Sequence, residues 1–156
     1  MPKLTGLIHT YNDARRIGRA LESLRPCDEL LIVDHGSSDA TIITAREYGA
    51  VIKSVSKMPP GNAAAKLAAN DWVLCLLASE IISEGLEASL QEWKISEQEP
   101  GTQFAVQVQT DRMVSETSQR RTRLVHRTYK LWEKYLPGDD PQSRLLDGFL
   151  LRIHDI

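Results

Sequence analysis

The chain has 156 residues and a formal net charge of −2, and 42% of its residues are hydrophobic. This composition indicates one domain with a sizeable core and excludes a disordered chain. The small negative charge argues against a general attraction to nucleic acid or to an anionic membrane surface.

The first 95 residues alternate between apolar runs and segments with helical periodicity. Continuous apolar runs predict buried parallel strands at residues 4–9, 29–34, 51–55 and 72–76. Apolar spacing and end signals predict helices at residues 17–24, 41–48, 62–69 and 83–93. Asn12 is the expected cap of the first helix, Gly49 the stop of the second and Ser83 the cap of the fourth. This alternation with short connections predicts an α/β fold with a doubly wound, mainly parallel sheet.

Residues 96–156 show a different pattern. Pro100-Gly101 interrupts the alternation, and the apolar residues of 104–108 then alternate with polar ones, which predicts an antiparallel or edge strand. Residues 124–126 and 149–151 are further strand candidates, and residues 137–141 are a predicted loop. We therefore expect a single domain, 1–156, in which 1–95 form βα repeats and 96–156 a short antiparallel or irregular part.

The cysteines and the apolar runs bear on where the protein resides. Cys27 and Cys75 belong to no Cys-x-x-Cys pair and lie near no histidines at zinc spacing, so we expect two buried free thiols. The N-terminus has no basic-then-apolar leader, and no apolar run approaches the ~20 residues that a membrane span needs. We expect a cytoplasmic protein without an integral membrane segment.

Three loops follow predicted parallel strands, at residues 10–13, 34–41 and 77–80. They should gather at one edge of the sheet, where ligands of open α/β proteins bind. In the second loop, Asp34 offers a carboxylate to a ribose or a base, and Gly36 permits a tight turn. Ser37, Ser38 and Asp39 then precede a helix N-terminus, whose amides favour phosphate. The alternative is an ordinary turn capped by Ser38 or Asp39, and the loop matches neither the P-loop nor the Gly-x-Gly-x-x-Gly pattern.

Several of these motifs together resemble one family of enzymes. The runs that carry the resemblance are Leu7-Ile-His-Thr-Tyr-Asn-Asp-Ala, Ile17-Gly-Arg-Ala-Leu-Glu-Ser-Leu, Leu31-Ile-Val-Asp-His-Gly-Ser-Ser-Asp-Ala-Thr and Ala45-Arg-Glu-Tyr-Gly-Ala. They resemble family 2 glycosyltransferases of the Rossmann-like GT-A fold, in particular the bacterial subgroup similar to lipopolysaccharide core glycosyltransferases. The similarity covers residues 4–95, and residues 145–154 are similar to the segment that closes the core of this subgroup.

This resemblance implies an enzyme that transfers a sugar from a nucleoside-diphosphate sugar to an acceptor, with a cell-envelope glycan or lipid as one option. The residues that it places around the sugar nucleotide are Thr10, Tyr11, Asn12, Asp34, Gly36, Ser37 and Asp39. The first three would border the base, Asp34 would contact base or ribose, and Asp39 would shape its loop. Residues 1–95 would bind the nucleotide, and residues 96–156 would form a short acceptor side.

The metal motif of the family is the point at which this chain departs from the pattern. Aligned on Asp71-Trp72, the two metal carboxylates of Asp-x-Asp-Glu fall on Leu77 and Ser79, and only Glu80 keeps its type. Because Mg²⁺ and Mn²⁺ prefer carboxylate oxygens, we expect transfer without the usual divalent cation, with Ser79 and Glu80 as remnants of the metal loop. The cations nearest in sequence that could stabilise the diphosphate instead are Arg120, Arg121 and Arg123.

No motif identifies a catalytic base. The acidic candidates after the metal loop are Glu116, Glu133, Asp139 and Asp140. His9 and His35 lie near the predicted cleft, where a histidine could supply positive charge at low pH. The second hypothesis is an inactive family member that binds nucleotide or acts as a scaffold, with a pocket filled by Leu77, Tyr11 or Tyr129. A third is an unrelated doubly wound domain, and in each case an oligomer or a protein partner is compatible with the sequence.

Overall fold

An eight-stranded mixed sheet forms the centre of the fold. The computed structural model describes residues 1–55, 57, 59–110 and 118–153. The strands are β1 (Leu4–Thr10), β2 (Glu29–Asp34), β3 (Val51–Ser54), β4 (Trp72–Leu77), β5 (Glu80–Ile82), β6 (Phe104–Thr110), β7 (Gln119–His126), β8 (Trp132–Glu133), β9 (Leu136–Pro137) and β10 (Arg144–Arg152). The order across the sheet is β3-β2-β1-β4-β7-β6-β10-β5, and β8 and β9 form a separate hairpin.

The sheet is mainly parallel, as the apolar runs predicted. β1, β2, β3 and β4 run in one direction, and β6 and β10 share it. β7 runs antiparallel between β4 and β6, and β5 pairs antiparallel with β10. The alternating segment at 104–108 therefore belongs to a strand with an antiparallel neighbour, but this strand lies inside the sheet and not at its edge. The short strand β5 was not predicted.

The part of the chain that the structure describes contains three α-helices: α1 (Ile17–Ser23), α2 (Thr41–Glu47) and α3 (Glu84–Trp93). α3 begins as predicted, because the hydroxyl of Ser83 accepts a hydrogen bond from the backbone N–H of Leu86 at 3.1 Å. Gly49 has a φ of +78° and follows α2, as expected of a residue that ends a helix. Among the described residues, no helix combines the length and the apolar character that crossing a bilayer requires.

Two helix predictions are wrong. The alanine-rich stretch 62–69 contains only a 3₁₀ turn, Ala65–Leu67, after which the chain is extended at Ala68. The turn ends early because buried Ala64, Ala65 and Ala68 pack on the sheet and the chain must reach β4 within a few residues. Asn12 does not cap α1, whose N-cap position is Arg16 without a side-chain hydrogen bond.

The core has two layers, one on each face of the sheet. α1, α2 and α3 cover one face, where Ile8, Leu21 and Leu90 belong to one continuous apolar cluster. The alanine turn and the β8–β9 hairpin cover the other face, over Leu7 and Val33. Both cysteines are free as predicted, but only Cys75 is a fully buried residue, whereas Cys27 is partly exposed. Burial of the thiol groups raises the pKa of each to about 12, so neither is a reactive thiolate at neutral pH.

Candidate functional site

The loop after β1 and the loop after β2 are joined to each other at the carboxyl edge of the sheet. The backbone N–H of Asn12 donates to the hydroxyl of Ser37 at 2.9 Å, and the Asn12 side-chain oxygen accepts from the N–H of Ser38 at 2.8 Å. The N–H of Asp13 donates to the hydroxyl of Thr41 at 2.9 Å. Asn12 adopts a φ of +52°, which aims its side chain at the second loop. The predicted meeting of these two loops is thus present in the structure.

Asp34 organises its own loop. Its side chain is only 1% exposed, and its carboxylate accepts hydrogen bonds from the N–H groups of Gly36 and Ser37 at 3.1 and 3.0 Å and from the Ser37 hydroxyl at 2.5 Å. Gly36 has a φ of +99°, so a side chain here would strain the turn. The structure therefore gives Asp34 a structural role, and a contact with a nucleotide stays a prediction.

Asp39 and Thr10 shape the same edge. Asp39 accepts hydrogen bonds from both the hydroxyl and the N–H of Thr41 and from the N–H of Ala14, and the Thr41 hydroxyl bond is the main reason that its pKa lies below the ordinary value. The buried hydroxyl of Thr10 donates to Asp13 at 2.6 Å. Asp39 is exposed and carries its charge at neutral pH, so it adds negative potential beside the loops.

An aromatic cavity opens next to these loops, with a volume of about 290 Å³. Its lining includes His9, Tyr11, His35, Leu77, Tyr135 and Leu136. The rings of His9 and Tyr135 stack with centroids 4.3 Å apart, and His35 lies 5.0 Å from Tyr135. Leu77 and Tyr11 line the cavity without filling it. Tyr129 instead packs against the core, and its hydroxyl donates to the carbonyl of Gly138 at 2.9 Å. The cavity is therefore open to a flat apolar group such as a nucleobase.

His9 and His35 share a hydrogen bond in which Nδ1 of His9 and Nε2 of His35 are 2.8 Å apart. One nitrogen must donate and the other accept, so at least one of the two rings keeps a bare nitrogen. Burial and, to a smaller extent, the charge of His35 lower the pKa of His9 to about 4. His9 is thus neutral at neutral pH, and it supplies no charge to a ligand there.

Acidification should destabilise the protein through His9. Between about pH 6.5 and pH 4 the unfolded state binds a proton that folded His9 does not, so the free energy of unfolding falls as the pH falls, by about 3 kcal/mol at pH 4. We expect this loss to shrink in His9→Gln. Urea unfolding of both proteins at neutral pH and near pH 4 measures it, with His126→Gln as the control. Equal acid losses in all three proteins would contradict the assignment.

Glu80, the acid that the resemblance places in a metal loop, is fully buried and already saturated with hydrogen bonds. Its carboxylate accepts from both terminal nitrogens of Arg123 at 2.7 and 3.1 Å, from Arg152 at 3.0 Å and from the N–H of Leu77 at 2.8 Å. Burial alone would raise the pKa of Glu80, but the hydrogen bonds and the charge of Arg123 outweigh it and hold the pKa below its ordinary value. Glu80 therefore stays ionised and serves as the counter-ion of two arginines.

The side chains at positions 77, 79 and 80 do not fit a divalent cation. Leu77 offers no oxygen from its side chain, and Ser79 offers at most a hydroxyl. Both oxygens of Glu80 face guanidinium groups, whose positive charge repels a metal ion. Within the described ranges, no three His, Cys, Asp or Glu side chains come together in a way that could hold a metal ion.

The arginines and acids that the sequence suggested for charge stabilisation and for a catalytic base do not form one cluster. Arg120 donates to the carbonyl of Ser143, and Arg121 forms an ion pair with Asp139 at 2.7 Å. Asp140 accepts the N–H of Gln142 at 2.9 Å, and Glu133 is exposed. Glu116 lies outside the described residues. Of the three arginines that could stabilise a diphosphate, Arg123 is buried and its guanidinium pairs with Glu80 at 2.7 Å.

Three residues near the cavity escaped the sequence analysis: Lys134, Tyr135 and Arg152. The first two form the turn between β8 and β9, and neither is glycine or asparagine, so the sequence carries no turn signal there. Arg152 is one of nineteen Lys and Arg residues and ends a strand without a motif. Only the folded chain brings them to the carboxyl edge of the sheet.

The chain is similar to glycosyltransferases in sequence. No family model matches it. A protein of Rickettsia felis and a protein of Rickettsia prowazekii, both named as uncharacterized glycosyltransferases, are 34% and 33% identical to it over 95 residues. Each match covers 58% of this chain, and it covers 34% and 32% of the two relatives. The chain thus spans about a third of the length of the curated relatives it matches.

Solved structures give the fold. S. aureus TarS in complex with UDP-GlcNAc superposes with a TM-score of 0.52 at 20% identity, over 75% of this chain and 37% of TarS. The glucosyl-3-phosphoglycerate synthase of Mycobacterium tuberculosis, in complex with Mn²⁺, UDP and glucosyl-3-phosphoglycerate, gives 0.52 at 21% identity, over 70% and 44%. The chain has the GT-A fold. The fold prediction from the motifs is therefore confirmed, whereas identities this low carry no further conclusion about the reaction.

Proposed function

We propose that this chain acts as a glycosyltransferase that binds a nucleoside-diphosphate sugar at the carboxyl edge of its sheet. The observation that carries the proposal is the pair of interlocked loops after β1 and β2 beside an open aromatic cavity. The likeness to proteins named as glycosyltransferases supports it. The alternative of a scaffold with a filled pocket is less favoured, because Leu77 and Tyr11 leave the cavity open.

In this proposal the base of the nucleotide stacks in the aromatic cavity, bordered by Thr10 and Tyr11. The joined loops hold the ribose side, where Asn12, Ser37 and Asp39 fix the backbone. Since the two neighbours were solved with UDP-GlcNAc and with UDP, a uridine nucleotide is the first donor to test.

The proposed reaction is an inverting displacement at the anomeric carbon. The oxygen of an acceptor hydroxyl forms a bond to this carbon, the bond from the carbon to the diphosphate oxygen breaks, and the nucleoside diphosphate leaves with the electron pair. A general base takes the hydroxyl proton. Because Leu77, Ser79 and Glu80 do not fit a divalent cation, the charge on the leaving diphosphate would be stabilised by the protein itself.

Titration calorimetry with UDP and GDP, in EDTA and again with Mn²⁺, tests the proposal. We expect UDP to bind with the same affinity in both conditions. Asn12→Gly should weaken UDP binding about tenfold, because it keeps the positive φ but removes the side-chain oxygen that accepts the N–H groups of Ser38 and Asp39.

The matched control is Ser38→Ala, because the hydroxyl of Ser38 forms no hydrogen bond to any described residue, and we expect its UDP affinity to be unchanged. No heat with any nucleotide would contradict the proposed function. Binding that requires Mn²⁺ would contradict its metal-free part alone.

A further inference from the structure

A second cavity, of about 390 Å³, lies beside the aromatic cavity, and Leu136 lines both. Four cationic side chains also line it: Arg121, Arg123, Lys134 and Arg152. Two carboxylates, Glu133 and Asp139, belong to its lining. We refer to it as the basic cavity. In a chain whose net charge is −2, a cavity with this excess of cations is distinctive.

Partners inside the protein neutralise only some of these cations. Asp139 pairs with Arg121 at 2.7 Å, and Glu80 pairs with Arg123 at 2.7 Å and Arg152 at 3.0 Å. One carboxylate, Glu80, thus serves two guanidinium groups. The Lys134 ammonium lies 5.7 Å from the centre of the Tyr135 ring and forms no ion pair with any residue that the structure describes. The four cations thus face three described carboxylates, Asp139, Glu80 and Glu133, so the cavity keeps a net positive charge.

The Arg152 guanidinium has a hydrogen-bond donor that is not satisfied within the described residues. Its Nε is buried and has no acceptor among the described residues, although its terminal nitrogen bonds Glu80. A buried donor without an acceptor is costly, and a water molecule or an anion bound beside Arg152 would supply the missing acceptor. Glu80 fixes one end of this guanidinium and leaves the other donors for an anion.

Lys134 has a left-handed backbone conformation. It has a φ of +59°, a conformation that costs a residue with a side chain about 1–2 kcal/mol. The carbonyl of Lys134 accepts the N–H of Gly61 at 2.8 Å, and this bond holds the β8–β9 turn against the loop before β4. Because glycine would adopt this conformation more easily, Lys134 is a candidate functional residue.

We propose that the basic cavity binds the diphosphate group of the sugar nucleotide, with Lys134 and Arg152 in the place of a divalent cation. The inference rests on the proposed function in one respect, which is that the nucleoside occupies the adjoining aromatic cavity. Lys134 acts as a mobile point charge, and Arg152 offers a fixed planar donor group that suits phosphate oxygens. Both charges would stabilise the diphosphate as it leaves.

Calorimetry in EDTA with inorganic pyrophosphate, UDP and uridine tests this inference. The variant is Lys134→Asn, because asparagine removes the charge and tolerates the left-handed conformation. We expect pyrophosphate and UDP to bind at least tenfold more weakly to this variant and uridine to bind equally well. Lys130→Asn, an exposed lysine outside the cavity, is the matched control and should leave all three affinities unchanged. Arg152→Gln should act like Lys134→Asn, with folding checked by circular dichroism.

The outcomes separate the two proposals. If pyrophosphate fails to bind in EDTA, or binds equally to the wild type and to Lys134→Asn, the basic cavity is not a diphosphate site. If pyrophosphate binds and depends on Lys134 whereas UDP and uridine give no heat, the anion site stands and the nucleotide function falls.

Discussion

Replacing Glu80 by glutamine should lower the free energy of unfolding by about 3–5 kcal/mol. The substitution keeps the shape of the side chain but removes the one negative charge between Arg123 and Arg152. Arg123 is only 3% exposed, so water cannot solvate its charge when the counter-ion is lost. Urea unfolding at neutral pH, followed by circular dichroism, measures the change.

The matched control for this substitution is Glu22→Gln on the exposed face of α1, for which we expect a change within about 0.5 kcal/mol. Adding Arg123→Met to Glu80→Gln should recover part of the loss, because it removes the uncompensated buried charge. A loss below about 1 kcal/mol for Glu80→Gln would show that the buried arginine does not depend on this carboxylate.

Gly148→Ala should be similarly destabilising, by about 3–5 kcal/mol, because two costs add. Gly148 has a φ of +94°, which a side chain disfavours, and an added Cβ would lie 2.1 Å from the backbone nitrogen of Leu86. The atoms that it would meet are backbone atoms of the first turn of α3, so they cannot rotate away. The start of the helix would have to shift from β10, where the N–H groups of Leu86 and Phe149 both donate to the Ser83 hydroxyl.

Thermal and urea unfolding of Gly148→Ala measure this cost. Gly101→Ala is the control, because its added Cβ meets no atom within 4 Å and its φ is not positive. We expect that control to unfold within about 0.5 kcal/mol of the wild type. Similar stabilities of the two variants would mean that α3 and β10 separate at little cost.

The sequence predicts most of the sheet because its signal is local. Continuous apolar runs identify β1, β2 and β4, since a strand that is buried on both faces needs apolar residues at every position. The helix predicted at 62–69 is wrong because alanine favours a helix only when packing does not decide the conformation. Here the close packing of three alanines on the sheet and the short path to β4 decide it. β5 has three residues, too few for any period to be recognised.

The site is predictable only where a motif specifies it. The residues of the two joined loops follow from the Thr-Tyr-Asn and Asp-x-Gly-Ser patterns, and the structure brings those loops together. The burial of Asp34 and Glu80 cannot be predicted from a motif, because it depends on the packing of the residues around them. The partners of Glu80 lie 43 and 72 residues away along the chain, and no local pattern encodes such a pairing.

The position of β10 between β6 and β5 has a kinetic consequence. Among the described strands, β5 pairs only with β10, and Glu80 faces Arg152 across that pair. During synthesis, β5 and α3 emerge long before residues 144–152. The β5–β10 pair therefore cannot form until β10 has been synthesised. Closing such long loops before any contact rewards them slows folding. We therefore expect β1, β2 and β3 to order first and Glu80 to remain solvated until β10 pairs with β5.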